Sequence, residues 1–250
     1  MRKVVIRADD LGYSEAVNYG IAKTVKEGLI KSVGFMTNMP YSEHGWNLIK
    51  DSDICLGQHT NICVGKPLTA PKFISSICDE NGYFKSSKEY RNAKEDFVVL
   101  DEVILEIEAQ YQRFKEITGR EPDYFEGHAV SSANFFKGLE IVAQRHGLDY
   151  LGFALDGPVT FRNTKLRVSM ESMGEDYNPT EVIKRFSLND YEDDECGMFV
   201  CHPGWLDEYI LNNSSLTINR TKEVTMLCDP EVKSWLENHD VNLVTYSDLN

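Results

Sequence analysis

Five side chains, Asp9, Asp10, His59, His128 and His202, have the types and the placement to do chemistry together. Asp9 and Asp10 adjoin each other in "VVIRADDLGY", directly after a run of β-branched residues. Two like charges side by side are costly unless a cation or a proton separates their roles. One aspartate with two histidines makes a ligand set for a divalent metal that keeps open positions for water and substrate. With one carboxylate on the metal, the other is free to act as a base, and the cation relieves their repulsion. Residue chemistry alone leaves open which aspartate does which job. Each piece also has an ordinary structural reading: Asp-Asp as a helix N-terminal feature, a single histidine as a hydrogen-bonded core residue, "CHPG" (201–204) as a strand followed by a turn. Their joint position at strand ends is what favours a site.

Those strand ends follow from the pattern of the chain. "KVVIRA" (3–8), "IKSVGFMTNM" (30–39), "ICLGQHTNI" (54–62), "YFEGHA" (124–129), "YLGFALD" (150–156), "GMFVCHP" (197–203) and "VNLVTY" (241–246) read as strands. Between them lie helical stretches: 14–28, capped by Ser14 and stopped by Gly28; 42–49; an amphipathic run from Leu100 to Ile117 ended by Gly119; 134–146; and 230–239, opened by Asp229-Pro230. This alternation implies parallel strands with helices outside, as a barrel or an open doubly wound sheet. Both collect active-site loops at the carboxyl ends of the strands. Asp9-Asp10, His59, His128 and His202 fall at four such ends, whereas His44, His146 and His239 fall on or beside helices. Two long segments, 64–95 and 157–195, break the rhythm and read as walls of a substrate site.

Composition narrows the function classes. The chain of 250 residues is 42% hydrophobic, enough for one large core, and carries a formal charge of -14, which opposes binding to nucleic acid. Six cysteines, none in a C-x-x-C pair, and no leader ahead of "MRKVVIRADD" lead us to expect reduced thiols in a cytoplasmic protein. No apolar run has the length of a membrane span. Cys201 beside His202 is not a nucleophile and its base, because neighbours on a strand point to opposite faces. Walker, G-x-G-x-x-G and G-x-S-x-G motifs are absent from the sequence.

At "ADDLGYSEAVNYGI", "GQHTNICVGKPL", "ICDENGYFKS", "EGHA" and "FVCHPGWLD" the chain resembles the YdjC-like carbohydrate deacetylases, which include chitooligosaccharide deacetylases. The resemblance implies an irregular (β/α) barrel of six or seven parallel strands with helices outside, a single domain over residues 1–250. It implies a metal-dependent hydrolase that removes N-acetyl groups from small acetylated amino sugars, chitooligosaccharide-type di- and trisaccharides, with or without a phosphate. Asp10, His59 and His128 correspond to the metal ligands, Asp9 to the general base and His202 to a general acid kept protonated by acidic surroundings. Magnesium is the first expectation for the cation and zinc the second.

The stretch "EGHAVSS" departs from the family pattern, with Glu126 in place of an aspartate and Ala129, Val130 and Ser132 where further histidines are common. A non-catalytic sugar-binding or regulatory relative with a decayed metal site is therefore the alternative. A non-haem iron oxygenase would share the His-His-carboxylate set but fits the residue order poorly. Tyr13, Phe136 and Trp205 are candidates to stack on sugar rings, and Arg162 and Arg167 to meet a phosphate. A small-molecule substrate, no membrane, no nucleic acid and a symmetric homodimer complete the expectations.

Overall fold

A computed structural model describes residues 2–153 and 157–250. Its strands are β1 (Arg2–Leu11), β2 (Ser32–Phe35), β3 (Cys55–Thr60), β4 (Phe125–Gly127), β5 (Val159–Phe161), β6 (Thr164–Ser169), β7 (Glu195–Cys201) and β8 (Val241–Val244). They form one sheet in the order β4-β3-β2-β1-β7-β6-β5, with β8 joined to β1. β1 is the axis of the fold. Its first half pairs with β8 from Arg2 to Val5, its second half pairs with β2 from Arg7, and β7 runs along its other side. Every pairing is parallel except the β5–β6 hairpin. The sheet curls into a half-barrel.

The helices are α1 (Glu15–Lys26), α2 (Ser42–Ile49), α3 (Ser87–Asn92), α4 (Leu100–Thr118), α5 (Ala133–Arg145), α6 (Pro179–Ser187), α7 (Glu208–Asn213), α8 (Ile218–Leu227) and α9 (Pro230–Asn238). Local chemistry sets their ends. The Ser14 side chain accepts from the Val17 N–H, and Asp229 does the same for Glu231 ahead of Pro230. Gly119 closes α4 in the left-handed conformation, with φ +72°. α1, with Val17, Ile21 and Val25 buried, packs on β1 and β2 residues, while α4 and α5 bury Ile107, Tyr111, Phe135 and Leu139 in a second cluster.

Two sequence expectations change. The strand expected at 150–156 is a single parallel bridge from Tyr150 to Phe125; residues 151–153 are not strand, and 154–156 lie outside the described residues. In its place the sheet is extended from within the 157–195 segment, where β5 and β6 form a hairpin turned by Arg162 (φ +52°) and Asn163 and attach to β7. Lys165 and Arg167 on the exposed face of β6 hide its strand character in the sequence.

Neighbouring strands approach closely where glycine permits it. A Cβ at Gly57 on β3 would stand 2.2 Å from Cζ of the buried Tyr124 ring, which itself packs tilted against Tyr246 at 4.3 Å between centroids. We therefore expect Gly57→Ala to destabilise the fold by ~1–3 kcal/mol through overpacking. A lower urea midpoint at unchanged m-value would show it, and an unshifted midpoint would contradict this packing.

Candidate active site

β1 delivers its two carboxylates by breaking its own regularity. On an extended strand Asp9 and Asp10 would face opposite sides of the sheet. Asp10, however, adopts φ +77°, and the register of β1 on β2 slips between Ala8 and Leu11. Such a bulge re-aims a side chain, and aspartate tolerates the left-handed region better than most residues. Both carboxylates consequently reach the ring of His59: Asp10 Oδ1 is 3.4 Å from Nε2, and Asp9 groups with His59 and Glu126 within 4.8 Å.

Asp10 Oδ1, His59 Nε2 and His128 Nδ1 make a buried triangle. The two ring nitrogens are 3.0 Å apart and Asp10 Oδ1 is 3.2 Å from His128 Nδ1. Asp10 is fully buried and its other oxygen accepts from Arg220 Nη2 at 2.7 Å. Burial works against its charge, but Arg220 and His128 outweigh it and hold the carboxyl well below the usual range. Burial alone would lower the pKa of both histidines; Asp9 and Glu126 around His59, and Asp10 beside His128, reverse this and push both up. The cluster attracts positive charge.

Sequence reasoning missed the groups that hold this triangle. Arg7, two residues before Asp9 on the same face of β1, donates to it from Nη2 to Oδ2 at 2.7 Å and forms an ion-pair contact from Nε to Oδ1 at 2.6 Å. Its Nη1 also pairs with Glu126 and reaches the Tyr246 hydroxyl at 3.2 Å. Glu126 lies in register beside His59 and approaches its Nδ1 at 3.2 Å, which leaves Nε2 to face Asp10. This ionic row closes across Gly34 on β2, where a Cβ would come within 2.7 Å of Glu126 Oε1 and 2.9 Å of Asp9 Oδ1. A charged residue inside the apolar run "VVIRA" was the available signal for Arg7.

His202 follows β7, whose Cys201 is paired with Ala8, so the histidine stands beside Asp9. Burial pushes its pKa down to about 4 against the fields of Asp10 and Asp9. The ring therefore rests neutral at pH 7, and the expectation of a histidine kept protonated by acidic surroundings is corrected: desolvation wins. Arg220, reaching from α8, donates both to Asp10 and to the His202 carbonyl and ties the two strand ends together. Among these groups His202 is partly exposed and His128 is 9% exposed, which marks the side open to substrate.

The secondary expectations fare unevenly. Tyr13 is buried, with its hydroxyl donating to the Asn213 carbonyl, and packs against His128 and Arg220. Phe136 stacks on Phe153, and Trp205 is half-exposed. Arg162 is bound to Asp149 and the Leu249 carbonyl, and Arg167 to Glu195, so neither is free for a phosphate.

A family model for YdjC-like proteins matches residues 3–238. The chain belongs to the YdjC-like family. Among its relatives, "Carbohydrate deacetylase 2" of Listeria innocua is 30% identical, with 99% of this chain and 98% of that protein covered. "Chitooligosaccharide deacetylase" of Citrobacter koseri is 26% identical, with 99% of each covered. A crystal structure from Enterococcus faecalis V583, provisionally named a cellobiose-phosphate cleavage protein, has the same fold, with a TM-score of 0.84, 23% identity and 98% of both chains covered.

In this YdjC-like protein the acidic groups offer two sets of converging ligand atoms, Asp10–His59–His128 and Asp9–His59–Glu126. The second is already filled by a cation, since the Arg7 guanidinium pairs with both of its carboxylates. The first fits a divalent metal. Arg220 fixes one Asp10 oxygen, and the other has no aligned donor although it is buried and faces two imidazole nitrogens. The raised histidine pKa values mean that a bound cation displaces protons, because ligating nitrogens must be unprotonated. Affinity for zinc is thus expected to rise with pH between about 6 and 8, with proton release detected by calorimetry in buffers of different ionisation enthalpy. Gly34→Ala should weaken that affinity by ~10-fold or more while circular dichroism stays unchanged, as for loss of groups that orient ligands. Zinc binding independent of pH would sink the assignment.

Proposed function

We propose that this YdjC-like protein is a carbohydrate deacetylase that hydrolyses the N-acetyl group of small acetylated amino sugars at a divalent metal held by Asp10, His59 and His128. The observation that carries the reading is the buried triangle of one unpaired carboxylate oxygen and two imidazole nitrogens, set beside a second carboxylate and a partly exposed histidine. Bound there, the cation would polarise the acetyl carbonyl and make a water acidic enough to lose a proton near neutral pH. Asp9 accepts that proton. Its carboxylate is held by a hydrogen bond and an ion-pair contact from Arg7, so it meets the water in a fixed orientation. His202, on the open side, hands a proton to the departing amine.

Several finer points follow from the same residues. Two imidazoles and a single carboxylate are a softer set than the oxygen surroundings magnesium prefers, so zinc is favoured over the magnesium first expected. With Arg162 and Arg167 paired and a formal charge of -14, a neutral oligosaccharide such as N,N'-diacetylchitobiose suits the site better than its phosphate. The chain acts as one domain, in which the 157–195 segment reaches the site through Ser172 beside His202. Its five buried cysteines, all free, suit a reducing cytoplasm. No helix among the described residues is long and apolar enough to cross a membrane. A homodimer is kept as the commonest soluble assembly.

Acetate release from N,N'-diacetylchitobiose by metal-stripped protein tests the reading. Release should appear when zinc or cobalt is restored, and Asp9→Asn should lower it by ~10²- to 10⁴-fold, the usual worth of a general base, without loss of metal binding. Undiminished release without metal, or an unimpaired Asp9→Asn, would refute the proposed roles.

A further inference from the structure

Behind His202 lies a line of buried polar groups that no step above uses. His202 Nδ1 is 3.3 Å from the hydroxyl of Ser172, a fully buried residue in the segment between β6 and α6. Asn219 pins that segment by donating to the Ser172 carbonyl at 2.8 Å. The Ser172 hydroxyl also lies close to the carboxyl group of Glu223, which is 0% exposed on α8. One Glu223 oxygen accepts the His202 backbone N–H at 2.7 Å and the other accepts the Tyr177 hydroxyl at 2.8 Å. A single hydroxyl thus stands between a buried carboxyl group and Nδ1 of the imidazole.

We propose that Ser172 and Glu223 are positioning residues that supply a proton to Nδ1 of His202, so that a neutral imidazole can donate from Nε2 to the departing amine. The inference rests on the deacetylase reading above. As the amine leaves, the His202 Nε2–H bond breaks and the amine N–H bond forms. Nδ1 takes the Ser172 hydroxyl proton, Ser172 Oγ takes the Glu223 carboxyl proton, and Glu223 is left as a carboxylate. Asp9 has gained the proton of the attacking water, so the net charge of the site is conserved, and exchange with solvent restores both groups after the products depart. The new carboxylate finds the His202 N–H and the Tyr177 hydroxyl already in place.

The protonation states suit this direction of flow. Burial, opposed by the His202 N–H and the Tyr177 hydroxyl, pushes Glu223 up to about 7, while burial takes His202 down to about 4. The carboxyl group therefore carries a proton under conditions in which the ring does not have one to spare. Facing Glu223 are Cys201 and His202 at the end of β7, Ser172 and Tyr177 from the segment before α6, and Arg220 from its own helix. Because the protonated form is the working one, the rate falls as pH rises through the Glu223 pKa.

The test uses the full chain loaded with zinc and two substrates, N,N'-diacetylchitobiose and 4-nitrophenyl acetate, whose leaving group departs without a proton. Ser172→Ala and Glu223→Gln should each lower kcat on the sugar by ~100-fold at unchanged KM, with roughly tenfold smaller losses on the ester, within the range of acid–base catalysis. Ser172→Thr should restore most of the rate, and Glu223→Gln should abolish the fall in kcat above about pH 7. Equal losses on both substrates, or an alkaline fall that survives Glu223→Gln, would overturn the proposal. Nitrogen-15 spectra of the His202 ring at a pH near 6 decide it without turnover: the Nε2–H tautomer is expected, and the Nδ1–H tautomer would rule the relay out. A wild type that releases no acetate with any metal would overturn the deacetylase reading instead, and the tautomer would still decide the relay.

Discussion

The site depends first on the bridge that Arg7 makes between Asp9 and Glu126. A guanidinium inside an apolar strand is tolerable only when its charge and its donors are met, because an unpaired buried charge is strongly destabilising. Asp9 and Glu126 meet those needs, and in doing so they tie β1 to β4 across the two strands between them. The bridge crosses β2 only because Gly34 has no side chain to obstruct it. Its strength as an ion pair matters less than the geometry it enforces, which fixes both Asp9 and the carboxylate that approaches His59 Nδ1.

A second arginine resolves the repulsion within the aspartate pair. Arg7 binds Asp9, Arg220 binds Asp10, and the left-handed turn at Asp10 points each carboxylate to its own guanidinium. Three buried carboxylates against two guanidiniums leave one negative charge, which explains why both histidines are pushed up and why the remaining Asp10 oxygen faces an electron-rich corner without a donor. His202 lies where desolvation outweighs those fields. One cluster therefore holds histidines of opposite character: His59 and His128, whose charge the carboxylates favour, and His202, which burial keeps neutral.

Much of the arrangement was legible in the sequence because it depends on short-range pattern. Buried runs of β-branched residues, caps such as Ser14 and Asp229, and the stop at Gly119 located six strands and the principal helices, and parallel order then placed Asp9, Asp10, His59, His128 and His202 on one edge. What could not be read depends on long-range contact. The β5–β6 hairpin has an exposed, charged face, and Tyr150 stops at one bridge because its partner β4 spans only Phe125–Gly127. Arg220 and Glu223 sit on a helix whose sequence reads as an ordinary polar surface, and only the path of α8 over the ends of β1 and β7 makes them part of the site.

The departure at "EGHAVSS" also has a physical account. Glu126 stands in register with His59, and from there its carboxylate reaches both the Arg7 guanidinium and His59 Nδ1. The extra methylene of glutamate extends that reach from the short strand β4, so the aspartate common in the family is replaced by a group that still orients the histidine. Ala129 and Ser132, where further histidines are common, serve the backbone instead: Ala129 turns the chain at φ +51° and Ser132 caps α5. The triangle of Asp10, His59 and His128 is complete without them. The altered positions lie in the shell that supports it, where Arg7, Arg220 and Glu126 already supply the contacts on which a decayed site would have lost its hold.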